Sequence, residues 1–363
     1  MKRVDVAVIG AGMAGAGMAA ELAPHCSVLI LEAEAQPGYH STGRSAAFWS
    51  ESYGGPLVQP LTSASRPFLS DGGFLKPRGA IHVADAEGDE ALRALADEFG
   101  GVLELRPLDR RALASTISGL REGWDRGLAE PSCADIDVGG LHAAYLKAAR
   151  QAGAQLITDA RVKEIEHRGG RWRIATSNGE VEAATIVNAA GAWADEVATL
   201  AGARPLGIRP YRRTMVQLRV APEVPPDLPV VIDALGRFYF KPESGRLWLS
   251  PHDEIPCEAS DCAPEELDIA VAIDRLQGVV DWQVERVEHS WAGLRSFAPD
   301  RVPVYGFAPE AADFFWCAGQ GGFGIQTAPA ASKLAAALLL ERDPDPAVAH
   351  IDPAPYAPGR FTN

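Results

Sequence analysis

No stretch of this 363-residue sequence is long and apolar enough to cross a bilayer. The most apolar tract, near Ala328 to Leu340, is broken by Ser332-Lys333 and falls short of the roughly 20 residues that a spanning helix needs. Positive charge is also scarce. With 34 Lys and Arg against 48 Asp and Glu, the formal net charge is −14, which argues against a nucleic-acid partner, because binding phosphates takes a basic face. A single cationic pocket is compatible with that total. The five cysteines (Cys26, Cys133, Cys257, Cys262, Cys317) are odd in number and form no CxxC pair. Neither a zinc site nor a disulfide framework is therefore expected. Nor does the start read as a secretory leader: Met1-Lys2-Arg3 is basic, but Asp5 interrupts the apolar run, which then flows into glycines. These absences predict a cytoplasmic protein with reduced thiols and no bound metal.

What is present is a composition of ordinary globular type, 47% hydrophobic and 23% charged, which excludes disorder over most of the length. The length suits two domains or one large one. An apolar strand over Val4 to Ile9 leads through a glycine turn into an alanine-rich helix, Met13 to Leu22, and a second strand, Ser27 to Leu31, ends at Glu32. This is one β-α-β unit, and its continuously apolar strands imply a parallel sheet covered on both faces. Further helices are expected over 88–99 and Val138 to Ala152, and strands over Ala154–Thr158, Val162–His167, Trp172–Thr176 and Glu182–Val187. From Pro205 to about Trp291 prolines become dense and short strands alternate around one helix, Pro264 to Gln277, as in an antiparallel sheet domain. A strand at Phe314–Cys317, a glycine loop at Gly319–Gly324 and a helix at Ile325–Leu340 then return to the first style. The first domain is thus read as discontinuous, with the second inserted into it.

The strongest chemical signal is Gly10-Ala11-Gly12-Met13-Ala14-Gly15. Alone, such spacing is weak. Here it joins a strand to a helix and meets an acid at the end of the next strand. Gly10 permits the tight turn, Gly12 lets backbone approach a pyrophosphate, and Gly15 lets helix and strand pack closely. The helix start offers unpaired N–H groups to phosphate. Glu32 would accept from an adenosine ribose, which favours FAD or NAD over NADP. Two further segments favour FAD. Tyr39-His40-Ser41-Thr42-Gly43-Arg44-Ser45-Ala46-Ala47 is a loop of small and hydroxyl residues that could run beside a pyrophosphate and a flat ring, or be a surface turn. Gly319 to Thr327 could aim a helix start at the flavin pyrimidine and stabilise charge there, or be a linker.

These stretches, with ADIDVGGLH (134–142), VNAAGAW (187–193), RPLGIRPYRR (204–213), FYFKP (238–242) and EHSWAGLRSF (288–297), resemble the FAD-dependent D-amino acid oxidase and glycine oxidase superfamily. The branch they are most similar to is that of the bacterial D-amino acid dehydrogenases, which includes catabolic D-arginine dehydrogenase. The resemblance implies an α/β fold: a doubly wound, Rossmann-like FAD domain of the glutathione-reductase-like type over 1–45, 135–205 and 292–363. An α+β substrate domain with a mixed or antiparallel sheet would occupy 46–134 and 206–291. It implies noncovalent FAD held by Gly10, Gly12, Met13, Ala14, Gly15, Glu32, Ala33, Ser41, Thr42, Arg44, Ser45, Ala46, Ala47, Val162, Ala190, Gly191 and Trp193. From the second glycine loop it adds Gly319, Gly321, Gly322, Phe323, Gly324, Ile325, Gln326 and Thr327.

For the substrate, the resemblance implies a carboxylate clamp of Arg213, Arg295, Tyr53 and Tyr239, with the Gly322 carbonyl receiving the amine. Arginine suits that task because its planar fork is always charged and binds a carboxylate bidentately; the alternative for each is an ordinary ion pair or a core tyrosine, which is the reading preferred for Arg212. The implied reaction is oxidative deamination of a D-amino acid to a 2-oxo acid and ammonia, by hydride transfer from Cα to flavin N5, with either oxygen or a quinone-type compound as final acceptor. No strong base is needed, and His40, His82 and His289 are read as structural. Where relatives that take cationic substrates carry a carboxylate, this chain has Ala80, and Phe48 replaces a histidine. Val230 and Ile232 fall where that branch has apolar wall residues, so the resemblance implies an apolar pocket for apolar or aromatic D-amino acids, with Glu51 as the possible exception. Oxidation of a secondary amine of the sarcosine type, a non-catalytic flavoprotein and, more weakly, an NAD-dependent dehydrogenase are the competing readings.

Overall fold

In the computed structural model, which describes residues 2–361, the first strand (β1, Lys2–Ile9) is apolar at the positions that pair on both sides. It lies parallel to Gly179–Asn188 on one flank and to Val28–Leu31 (β2) on the other. Between β1 and β2 runs the helix Met13–Leu22 (α1), whose glycines and alanines let it lie close on the sheet. The sheet continues through Gln155–Ile157 beyond β2 and through Phe314–Ala318 beyond Gly179–Asn188, all parallel. The antiparallel strands Val162–Arg168, Arg171–Thr176 and Val304–Phe307 complete eight. Apolar clusters cover both faces: α1 and the C-terminal helix Ala328–Leu340 pack on one, and Ala194–Leu200 on the other.

A nine-stranded sheet forms the second layer system. Its axis is the long antiparallel pair Arg209–Ala221 and Gln283–Phe297. One parallel pairing, Ala80–Ala84 with Val230–Asp233, makes it mixed. The helix Glu266–Val279 packs on its far face around Phe238, Phe240 and Trp282. A three-stranded sheet (Phe48–Trp49, Leu75–Pro77, Ala134–Ile136) lies between the two systems. This is the α/β architecture with parallel and antiparallel sheets that the sequence implied, and the strand Gln283–Phe297 of the second sheet runs across residue 292.

Several elements escape sequence reading. The helix Gln59–Asp71 contains Pro67 in its interior, a residue that ordinarily breaks helices. The strand Arg126–Glu130 (RGLAE) has no apolar alternation. The C-terminal helix begins at Ala328 and not Ile325, because residues 321–327 form successive turns.

Candidate active site

The end of β1 opens a groove. Gly10 has φ +102°, and a Cβ there would lie 2.4 Å from the Ala189 carbonyl oxygen. A Cβ at Gly15 would come within 1.9 Å of the Gly10 carbonyl oxygen, so no larger residue lets α1 approach the strand. The loop is braced from the side: Ala11 N donates to Glu32 Oε2 at 2.7 Å, Glu34 N to Glu32 Oε1 at 2.9 Å, and Met13 N to Thr42 Oγ1 at 3.0 Å. Glu32 therefore organises the turn as well as facing the groove.

The groove, about 230 Å³, runs from Gly10, Gly12, Met13 and Ala14 past Glu32 and Ala33. It passes Ser41, Thr42, Arg44, Ser45 and Ala46, with Val162, Ala190, Gly191 and Trp193 on its other wall, and ends at Arg213, Arg295, Gly321, Gly322, Gly324 and Ile325. Of the residues expected to hold the cofactor, Gly15, Gly319, Phe323 and Thr327 lie outside its lining. Gly15 and Gly319 pack against backbone and neighbouring side chains, Phe323 against Val58 and Phe297, and the Thr327 hydroxyl donates to the Phe323 carbonyl at 2.8 Å. Ala47 and Gln326 line the adjoining cavity instead. Gln326 is buried, donating from Nε2 to the Tyr53 carbonyl and Thr62 Oγ1 while its Oε1 accepts from Ser50 N, so it fixes the loop that carries Tyr53. Arg44 pairs with Asp261 and donates to the Cys262 carbonyl, and Tyr39 also reaches Asp261, so a loop of the second sheet is tied to the loop that lines the groove. Arg161 lies over the Trp193 ring at 5.9 Å, a wall contact that its place just before Val162 could have suggested.

At the groove's inner end the register of the long strand pair decides which arginine is functional. Tyr211 is opposite Arg295 and Arg213 opposite Gly293, so Arg213 and Arg295 are diagonal neighbours on one face. Arg212 points to the other face and pairs with Glu265 and Asp268, the ordinary ion-pair role expected of it. Arg295 donates from Nη1 to the Tyr53 hydroxyl at 2.7 Å. Arg213 is 4% exposed; it donates from Nε to the Asp253 carbonyl at 2.6 Å, while its Nη1 is buried without a partner. Burial and the neighbouring Arg295 push the Arg213 guanidinium down to about 10, still charged at neutral pH. Arg213 Nη2 also meets the Glu254 carboxylate at 3.3 Å, so this guanidinium is partly paired while its Nη1 is left to bond a ligand. Tyr239 completes the group, its hydroxyl donating only to the weak acceptor Met215 Sδ at 3.0 Å. A Cβ at Gly322 would strike the Tyr53 hydroxyl at 2.1 Å and Arg295 Nη1 at 2.9 Å, so any side chain there would displace the ends of both clamp residues.

A second cavity of about 80 Å³ opens beyond the clamp, sharing Tyr239, Arg295 and Gly322 with the groove. Phe48 and Ile232 line it as expected. Ala80 and Val230 do not: both are buried in a small cluster behind Phe48 and Ile232, with Cys133. Glu51 is absent from the lining too, its carboxylate accepting from Ser63 Oγ. Ser50, Ser52, His82 and His252 are present instead. His252 bonds through Nδ1 to the Gly236 carbonyl at 2.8 Å, and burial, then Arg213 and Arg295, push its pKa down to about 2, so it is neutral. Glu130 is fully buried behind Ser52 and His82. Burial disfavours its charge, but hydrogen bonds from His82, Ser52 and Ser50 outweigh this and hold it below the usual range. His289, by contrast, is exposed and stacks on Trp291.

The groove suits a flavin dinucleotide on its own chemistry: a glycine cradle where a Cβ would collide, and the buried, unpartnered Arg213 Nη1 and His40 Nδ1 along its walls. All five cysteines are free, and Cys317 lies buried in a strand with its thiol pushed up to about 12 by burial. Comparison with known proteins agrees. A family model described as FAD dependent oxidoreductase matches residues 5–338. The glycine oxidase of Pseudomonas aeruginosa is 28% identical over 97% of this chain and 98% of its own length. The mitochondrial dimethylglycine dehydrogenase of Mus musculus is 29% identical over 65% of this chain, though over only 29% of that longer protein. Among solved structures, glycine oxidase from Geobacillus kaustophilus superposes with a TM-score of 0.85 at 24% identity, covering 98% of each chain. No described helix is long and apolar enough to cross a membrane.

Proposed function

We propose that this chain, which belongs to the FAD-dependent oxidoreductase family and oxidises an amine or amino acid substrate, takes glycine or a small N-alkylated glycine by its carboxylate and oxidises the carbon–nitrogen bond. The observation that carries the reading is the buried Arg213 and the half-buried Arg295, with Tyr53, at the meeting point of the long groove and the small cavity. A volume of about 80 Å³ has room for a few water-sized groups beyond the carboxylate, which favours a compact substrate over an aromatic one. The relatives named above as glycine oxidase and dimethylglycine dehydrogenase support the same choice.

FAD, held noncovalently, would supply the acceptor for the two electrons that leave the substrate. Gly10 and Gly12 would admit its pyrophosphate, and Glu32 would accept from its ribose, while Gly321, Gly322 and Ile325 would border the ring end. The protein's own work is placement. Arg295 and Arg213 would grip the carboxylate with Tyr53 and Tyr239, and the Gly322 carbonyl would accept from the amine. The clamp's two positive charges also disfavour an ammonium beside them, so the amine binds more readily after giving its proton to water.

A primary D-amino acid with a short side chain is the second reading, supported by Phe48 and Ile232 on the cavity wall. Anaerobic mixing of the purified protein with glycine, sarcosine, dimethylglycine and D- and L-amino acids, followed by the visible flavin band, tests both. Rapid bleaching by glycine or sarcosine supports the proposal, and fastest bleaching by a D-amino acid supports the second reading. With sarcosine, release of methylamine or formaldehyde identifies the bond attacked. No bleaching by any of them would overturn both.

A further inference from the structure

The strand Ala80–Ala84 carries one residue that the apolar reading of the cavity does not use. Alternate residues of a strand share a face, so Ala80 and His82 point the same way. Their parallel partners are Val230 and Ile232 respectively. Ala80 and Val230 form the buried pair, and His82 and Ile232 form the next pair along, which lines the cavity. This stretch of the cavity wall is thus half apolar and half imidazole.

That imidazole is fixed from behind. Glu130 Oε2 accepts from Ser52 Oγ at 2.6 Å and Ser50 Oγ at 3.0 Å, and Oε1 accepts from Glu51 N at 2.8 Å. His82 Nε2 lies 3.3 Å from Ser52 Oγ and 3.4 Å from Glu130 Oε2. Ser52 has spent its only hydrogen on the carboxylate, and an ionised carboxylate only accepts. Nε2 must therefore carry a hydrogen and donate it to this pair. Ser, His and Glu are the residue types of a hydrolytic triad, but a triad needs the serine and the acid on different ring nitrogens. Here both meet Nε2, so no proton can be relayed through the ring. What the arrangement does is orient His82: with Nε2 turned to Glu130, Nδ1 is the ring atom that bonds to no described residue, on a side chain that lines the cavity.

We infer that His82, held by Glu130 and Ser52, is a specificity-determining residue that selects substrates carrying a short hydrogen-bonding substituent, such as a hydroxyl, on the side chain or on nitrogen. The inference rests on the proposed grip of the carboxylate by Arg295, which fixes the direction in which a substituent extends. A site built to pair a polar substituent rejects the alkyl isostere because the protein group is then left unpaired.

The test uses two unreactive carboxylates of equal size, hydracrylate with a terminal hydroxyl and butyrate with a terminal methyl. Each is titrated into the FAD-loaded enzyme and its Kd read from the perturbation of the flavin spectrum. Hydracrylate should bind about tenfold more tightly than butyrate. The ratio should fall to about one in His82→Leu and stay above one in His82→Gln. Ser52→Ala, which loosens the imidazole without removing it, should give an intermediate ratio. A loss of affinity for both ligands with the ratio unchanged would mark His82 as merely structural and overturn the inference. Equal binding of the two by the wild type would overturn it while leaving the carboxylate grip intact. No spectral response to either would overturn the grip and the inference together.

Discussion

Arg295 Nη1 donates to the Tyr53 hydroxyl at 2.7 Å, directly above a glycine that no other residue could replace without striking both. This contact joins a loop of the first sixth of the chain to the end of the longest strand, and it orients both donors before any ligand arrives.

Arg295→Met should lower kcat/KM by about a hundredfold or more, because a buried charge-assisted grip on a carboxylate is worth about 2–5 kcal/mol. Tyr53→Phe should cost about tenfold at most, one neutral hydrogen bond. Steady-state kinetics on the best substrate, with flavin content checked by absorbance, separates these losses from loss of cofactor.

Gly322→Ala and Gly15→Ala should fail differently. At Gly322 the new methyl meets Tyr53 and Arg295, so the protein should stay yellow while KM rises. At Gly15 it meets the Gly10 carbonyl, so the purified protein should lose most of its flavin. The ratio of visible to ultraviolet absorbance distinguishes the two, and an equal loss of colour in both would contradict the placement of Gly322.

Adjacent arginines should give opposite phenotypes. Arg212→Ala breaks pairs with Glu265 and Asp268 on the outer face and should change thermal stability by about 1 kcal/mol with kinetics intact. Arg213→Ala should raise KM strongly. If Arg212→Ala damaged turnover instead, the register of the strand pair would be misassigned.

His252 is held neutral, its pKa pushed down to about 2 from an ordinary 6.5. In the unfolded chain it takes a proton as pH falls through 6.5, and in the folded chain it does not. Its contribution is complete above 6.5 and is lost progressively as pH falls towards 2. His252→Gln should therefore show a shallower fall of Tm between pH 6.5 and 5 than the wild type. A parallel fall in the two proteins would mean that His252 already titrates normally in the native state.

What the sequence reveals here is what chemistry makes local. The turn from Gly10 to Gly15 announces itself because three glycines at fixed offsets each answer a separate steric demand, and α1 follows at its observed bounds, Met13–Leu22. Arg213 and Arg295 are singled out only by the family resemblance, and the strand register makes them diagonal neighbours. The far cavity wall was missed because it depends on pairing between strands. A carboxylate-bearing position replaced by Ala80 suggests an apolar pocket, but the register with Val230–Asp233 brings His82 to the cavity while Ala80 is buried behind the wall. Glu130 was invisible for the same reason, since its strand lacks alternation and its partners come from residues 50–52 and 82. Thr327 and Gln326 sit in a motif that suggests cofactor contact, yet the side chain of each bonds to the protein itself.

Gly322, Tyr239 and Arg295 belong to the groove and the cavity at once. For anyone seeking new substrates by directed evolution, the two compartments are therefore unequal ground. A library at the shared positions alters the border of the cofactor's bed together with the substrate's, so every variant there has to be scored for colour and for activity separately. Phe48, Ser52, His82, Ile232 and His252 touch the cavity alone, and diversity introduced there can be screened with the chromophore still in place to report on it.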